Sequence, residues 1–168
     1  VKISNDRRLL GGAGNVARNM RSLGGAPHLI SVCGDDSGAD EVMALCRNGD
    51  ISASIVRDQE RRTTIKTRII ARQQQMLRFD QEDVKALSST VLAGIMSEIE
   101  TRLADHTVLI LSDYGKGLVC AGLMSELRAL QDRCAARGRD LKILVDPKNP
   151  NWHLYQGAYL LTPNTKET

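Results

Sequence analysis

From residue 108 to residue 161, apolar runs of strand length alternate with a long amphipathic stretch, and this rhythm leaves few folds open. Residues 108–111 read as a buried strand and 118–136 as a helix closing near Gly138. Residues 141–145 read as the next strand and 158–161 as another. Strands that alternate with helices at this spacing pair in parallel and carry helices on their faces, which places the chain in the α/β class.

The first half follows the same logic with one departure. Residues 1–4 read as the end of a strand, 5–10 as a polar loop, and 13–23 as a helix ending at Gly24-Gly25. Residues 29–33, between Pro27 and Gly34, form a short apolar run typical of a buried strand. Residues 39–47 form a helix closed by Asn48-Gly49, and 51–56 alternate as a strand. The departure is residues 63–71, rich in β-branched side chains and mirrored by 75–79. With Arg72-Gln73-Gln74 between them, they predict an antiparallel hairpin with a polar turn. Residues 88–103 then read as an amphipathic helix capped by Ser88 or Ser89.

Charge and cysteine usage narrow the function classes. Among 168 residues, 23 basic and 20 acidic side chains leave a net charge of +3, too balanced for a nucleic-acid partner. Arg7-Arg8 and Arg61-Arg62 are pairs, not runs, and read as solvated loops. No apolar stretch approaches the roughly 20 residues of a membrane helix. Cys33, Cys46, Cys120 and Cys134 form no C-x-x-C pair and read as buried free thiols of a reducing cytoplasm. His28, His106 and His153 have no metal-ligand spacing.

In a parallel α/β sheet the ligand site lies beyond the carboxyl ends of the strands. Here those ends carry Ser112-Asp113-Tyr114-Gly115-Lys116-Gly117, Asp146-Pro147-Lys148 and Thr162-Pro163-Asn164-Thr165-Lys166-Glu167. Carboxylates, an amide and lysines on one edge suit an anionic, metal-bound substrate: lysines neutralise phosphate, and carboxylates hold Mg²⁺ directly or through water. Singly, each has a plainer reading, as a turn cap or a solvated loop residue. Upstream, Gly11-Gly12-Ala13-Gly14-Asn15 sets glycines against an asparagine at a helix start, where backbone N–H groups can approach a small polar ligand.

The segment from Gly11 through Gly24 to Gly34-Asp35-Asp36 resembles the N-terminal signature of the ribokinase-like (PfkB) sugar kinases. Arg72-Gln73-Gln74-Gln75-Met76-Leu77-Arg78-Phe79-Asp80 is similar to the R-x-Q-Q-x-x-R-x-D segment of the heptose 7-phosphate kinases within that family. The Asp113-to-Gly117 loop, Asp146-Pro147-Lys148 and Leu161-Thr162-Pro163-Asn164 resemble further segments of that subfamily, in order. Asn164-Thr165-Lys166-Glu167 is similar to the wider family's N-x-x-E motif. The resemblance covers the whole chain. It implies a ribokinase-like three-layer α/β/α fold with a mostly parallel sheet and an antiparallel, substrate-covering hairpin.

It also implies ATP- and Mg²⁺-dependent phosphorylation of D-glycero-D-manno-heptose 7-phosphate at the anomeric hydroxyl, in ADP-heptose synthesis. On that reading Gly12 and Asn15 bind sugar hydroxyls, and Arg72, Gln74 and Gln75 close over the substrate. Lys116 faces the 7-phosphate, with Asp113 beside it on the sugar. Lys148, Asn164 and Glu167 serve the nucleotide, Glu167 reaching Mg²⁺ through water. The family's catalytic aspartate lies in a G-A-G-D turn that does not occur here, so the general base is expected beyond Thr168. The family's first strand precedes the segment matched by Val1. Residues 1–168 are therefore expected to be the central part of one kinase domain, inactive alone, with its sheet incomplete. A homodimer is expected, and a fused adenylyltransferase domain is open.

Two alternatives stay within reach of the residues: a kinase of this family acting on another sugar or a nucleoside, and a non-catalytic sugar-phosphate-binding module. A third fails. Gly12-x-Gly14-x-x-Ala17, with Asp35 or Asp36 about 20 residues on, satisfies the dinucleotide-binding fingerprint. That fingerprint must follow a buried strand, and Asn5-Asp6-Arg7-Arg8-Leu9-Leu10 is too charged to be one.

Overall fold

The structure, a computed structural model, describes residues 4–148 and 152–165. The strand expected at residues 1–4 lies, apart from Ser4, outside them. The elements are α1 (Gly12–Ser22), β1 (His28–Gly34), α2 (Ser37–Asn48), β2 (Ser52–Asp58), β3 (Ile65–Ala71), β4 (Gln74–Gln81), α3 (Ser89–Arg102), β5 (Val108–Ser112), α4 (Ala121–Ala135), β6 (Lys142–Asp146), a 3-10 turn (Trp152–Tyr155) and β7 (Leu160–Leu161). No described helix is long and apolar enough to cross a membrane.

The parallel strands form two hydrogen-bonded units among the described residues, β1–β2 and β5–β6–β7. Helices join them: α1 packs on both β1 and β5, and α3 packs on β1, β2 and α4. The two-residue period of a strand sorts β1 between two cores. Leu29 faces Ala17 of α1 and Cys46 of α2, with Ile51 beside them. Ile30 and Val32 face the larger core, built from Val91, Ile95 and Ile99 of α3, Leu123, Leu127 and Leu130 of α4, and Ile143 and Val145 of β6. Helices therefore lie on both faces of the strands, the three-layer α/β/α arrangement. Few aromatics contribute; aliphatic side chains fill both cores. On β5, Leu109 and Leu111 turn inward while Val108 and Ile110 stand exposed.

The hairpin β3–β4 is antiparallel and stands off these layers, every β4 residue being exposed. Its loop is two residues, Arg72 and Gln73, both at positive φ (50° and 65°), with Gln74 already paired to Ala71. That is the backbone of a tight hairpin turn whose twist matches the strands. A register shift between Ile69 and Ile70 leaves Met76 without a partner opposite.

Three expectations shift. The strand expected from residue 63 begins at Ile65, because Thr63 is drawn off by Asp36. The helix expected from residue 118 begins at Ala121, because Gly115 and Gly117 hold positive φ (65° and 86°) in the loop before it. Arg61, read as a solvated loop residue, is buried. Its guanidinium pairs with Asp58 at 2.8 Å and donates to the Lys85 carbonyl at 3.3 Å. Arg62 is exposed as expected. All four cysteines are free; Cys33, Cys46 and Cys134 are buried and Cys120 is half-buried.

Candidate active site

The parallel register brings the strand ends level. Ser112 pairs with Asp146 and Val145 with Leu161. Beyond the ladder, the Asp113 N–H donates to the Asp146 carbonyl at 2.9 Å and the Thr162 N–H to the Val145 carbonyl at 3.0 Å. The three loops that follow β5, β6 and β7 are thus neighbours.

Glycines bring further segments to the same place. A Cβ on Gly12, itself at φ 51°, would lie 3.5 Å from the Tyr114 ring, so the start of α1 rests against the β5–α4 loop. A Cβ on Gly115 would meet the Lys148 side chain at 3.6 Å, and one on Gly117 would stand 2.0 Å from the Lys85 carbonyl oxygen. Only glycine at residue 117 allows the segment leaving the hairpin to press on this loop. Gly12 thus meets the loop that carries Asp113 and Lys116, and Lys148 lies against the same loop, while Asn15 sits three residues further along α1 with no described contact to them. The Asn15 side-chain oxygen accepts from Arg18 at 2.8 Å.

Asp113 is buried, and both its oxygens are used internally. One accepts from the Gly115 N–H at 2.7 Å, the other from the Tyr155 hydroxyl at 2.7 Å. Tyr155, buried in the larger core, accepts in turn from the Lys148 N–H at 3.2 Å. This Asp113–Tyr155–Lys148 chain fixes two of the loops against one another. Nothing in the spacing of Trp152-His153-Leu154-Tyr155 announces it.

Lys116 ends in an ion pair. Its ammonium lies 2.5 Å from Glu82 Oε1, while Lys66 of β3 sits 2.8 Å from Glu82 Oε2 and 2.8 Å from Asp80. Arg78 completes the row on Asp80 at 2.6 Å. The Lys116 and Lys66 ammonium groups hold the Glu82 carboxyl below the usual carboxylate range. Arg78 and Lys66 do the same for Asp80, and Asp80 and Glu82 raise Lys66. Glu82, which holds Lys116, and Lys66, which shares Glu82, are contacts that motif reading missed. The signal was present in the two-residue period that puts Arg78, Asp80 and Glu82 on one face, opposite Lys66.

Arg72, Gln74 and Gln75 lie at the exposed hairpin tip, about 20 Å along the strands from this base by the strand rise. The structure does not bring them to Lys116. Lys148 and Asn164 are exposed on the loops after β6 and β7. An ammonium and an amide on the loops of neighbouring parallel strands are side-chain types that suit a nucleotide polyphosphate and its hydrated cation. Glu167 lies outside the described residues. So does Thr168, beyond which the general-base aspartate is expected.

The base of the hairpin is fastened by a second set of contacts. The Asp36 carboxylate accepts from the Thr63 hydroxyl at 2.6 Å, the Thr63 N–H at 2.9 Å and the Ala39 N–H at 3.1 Å. Burial works against this charge, but these donors outweigh it and keep the Asp36 carboxyl low. Asp36 is therefore a helix cap and a clasp for the hairpin.

The profile of the pfkB family of carbohydrate kinases matches residues 2–168. The chain belongs to the pfkB carbohydrate kinase family. This pfkB chain is 38% identical over 168 residues to the bifunctional protein HldE of Aliarcobacter butzleri, covering 99% of the chain and 34% of that protein. It is 37% identical to the D-beta-D-heptose 7-phosphate kinase of Bordetella bronchiseptica, covering 99% of the chain and 50% of that protein. The chain thus spans a third to a half of these relatives. The tetrameric inhibited form of phosphofructokinase-2 from Escherichia coli superposes with a TM-score of 0.65 at 20% identity, covering 99% of the pfkB chain and 56% of that one. At that identity the likeness is one of fold, and it supports the ribokinase-like architecture.

Proposed function

We propose that the protein containing this chain transfers the γ-phosphoryl group of ATP to the anomeric hydroxyl of D-glycero-D-manno-heptose 7-phosphate. The observation that carries this reading is the meeting of the Gly12 helix start with the Asp113–Gly117 loop, where Lys116 is presented beside a glycine-lined edge. The relatives' heptose-kinase names favour this sugar over others.

Gly12 and Asn15 hold sugar hydroxyls, Lys116 receives the 7-phosphate, and Asp113 keeps the loop in place through Gly115 and Tyr155. Arg72, Gln74 and Gln75 reach the substrate when the hairpin folds down. Lys148 meets the nucleotide phosphates, and Asn164 and Glu167 meet Mg²⁺ through water. The bound cation supplies charge neutralisation of the phosphoryl group in flight. The sugar oxygen forms a bond to the γ-phosphorus as the bond to ADP breaks, and the hydroxyl proton passes to a general base. The reading assigns that base to the aspartate of the family's G-A-G-D turn, which residues 1–168 do not contain.

The product, the 1,7-bisphosphate, enters ADP-heptose synthesis in the cytoplasm, with an adenylyltransferase domain accompanying the kinase. A homodimer follows from the hairpin: Ile65, Thr67, Ile69, Leu77 and Phe79 share one face, and the four large ones are exposed. The test is ADP release by the full-length protein across a panel of phosphorylated and free sugars. Heptose 7-phosphate ranking first supports the reading. Fructose phosphates or nucleosides ranking first would replace it with another kinase of the same family.

A further inference from the structure

We infer that Lys66 of the hairpin and Lys116 of the β5–α4 loop together form a phosphomonoester site, and that the Glu82 carboxylate occupies it in the free protein. The inference rests on the proposed role of Lys116 and adds two residues to it. The two oxygens of Glu82 are divided between the two ammonium groups, Oε1 to Lys116 at 2.5 Å and Oε2 to Lys66 at 2.8 Å. Two oxygens of a tetrahedral phosphate are spaced much as those of a carboxylate, so a phosphate can take the same two lysines in the same way. It brings two negative charges where Glu82 brings one.

The exchange is sterically open. The side chains of Glu82, Lys116 and Lys66 are 25%, 29% and 31% exposed, enough for a ligand to arrive from solvent. Lys66 and Glu82 belong to the hairpin and Lys116 to the body, so this carboxylate is also a tether between them. Another tether to the body persists without it, the Thr63 N–H and hydroxyl on the Asp36 carboxylate at 2.9 and 2.6 Å, while the Arg62 N–H on Asp83 at 2.9 Å keeps the two legs of the hairpin together. A phosphate bridging Lys66 and Lys116 would replace the lost tether. The hairpin base thus stays fastened to the body whether the carboxylate or a phosphate lies between the two lysines.

The test uses the full-length protein and inorganic phosphate as probe, with calorimetric titration and amide hydrogen exchange over residues 62–85. Glu82→Gln should bind phosphate about threefold more tightly than wild type, the scale of a part-exposed ion pair. Lys66→Ala and Lys116→Ala should each weaken binding about fivefold or more. Without phosphate, exchange across the hairpin base should be faster in Glu82→Gln than in wild type. Saturating phosphate should restore it, and should fail to do so in Glu82→Gln/Lys66→Ala. The restoration separates a shared site from a general change in surface charge. If Lys116→Ala weakens phosphate binding while Glu82→Gln and Lys66→Ala match wild type, the placeholder is overturned and the Lys116 role stands. If no form binds phosphate, both fall.

Discussion

Arg61 and Arg62 are adjacent in sequence and opposite in fate. Arg62 is exposed, whereas Arg61 and Asp58 have side chains only 5% and 10% exposed, paired at 2.8 Å. Breaking a buried pair leaves a charge without compensation, so Asp58→Asn should cost about 3 kcal/mol of stability, measurable by urea unfolding. The sign with pH follows from the same contacts. The Arg61 guanidinium, helped by the Glu60 N–H, holds the Asp58 carboxyl low, and Asp36 is also held low. Their stabilisation is fully present above the unfolded carboxylate range, about pH 4, and is lost as pH falls through the lower folded values. Wild type should lose stability below about pH 4 more steeply than Asp58→Asn; parallel acid profiles would contradict the pairing.

The hairpin carries two chemistries on two faces. Lys66, Arg68, Arg78 and Asp80 share one, and Ile65, Ile69, Leu77 and Phe79 the other. The charged face meets Lys116 through Glu82, which leaves the apolar face exposed, and the proposed homodimer covers it with a second copy of the chain. Ile69→Lys should therefore convert a dimer to a monomer in sedimentation of the full-length protein; a monomeric wild type would remove the proposal. Much of this element was legible. β-branched residues at 63–71, mirrored by 75–79, predict strands by period and propensity, and both form. The ends were less legible, because distant residues set them. Thr63 leaves the strand for Asp36, 27 residues earlier, and the α4 helix starts late because two glycines hold positive φ. Such long-range captures leave no local pattern. Tyr155 escaped notice for the same reason, its partner Asp113 lying 42 residues earlier, whereas the alternation that sets Lys66 opposite Asp80 and Glu82 was there to be read.

At the scale of the molecule, β–α alternation after residue 108 and the apolar runs before it made the three-layer architecture readable. The strand-end rule picked out the edge where the loops after β5, β6 and β7 meet. What alternation could not supply was which side chains remain available there. Asp113 is engaged by Gly115 and Tyr155, while Lys116 is paired with the part-exposed Glu82 carboxylate. The central claim is that this edge receives a phosphorylated sugar through Lys116. Steady-state kinetics of full-length Lys116→Ala with heptose 7-phosphate tests it most directly. Losing a charged contact made equally in ground and transition state should raise KM by about tenfold or more with kcat little changed. An unchanged KM for the phosphorylated sugar would contradict the account.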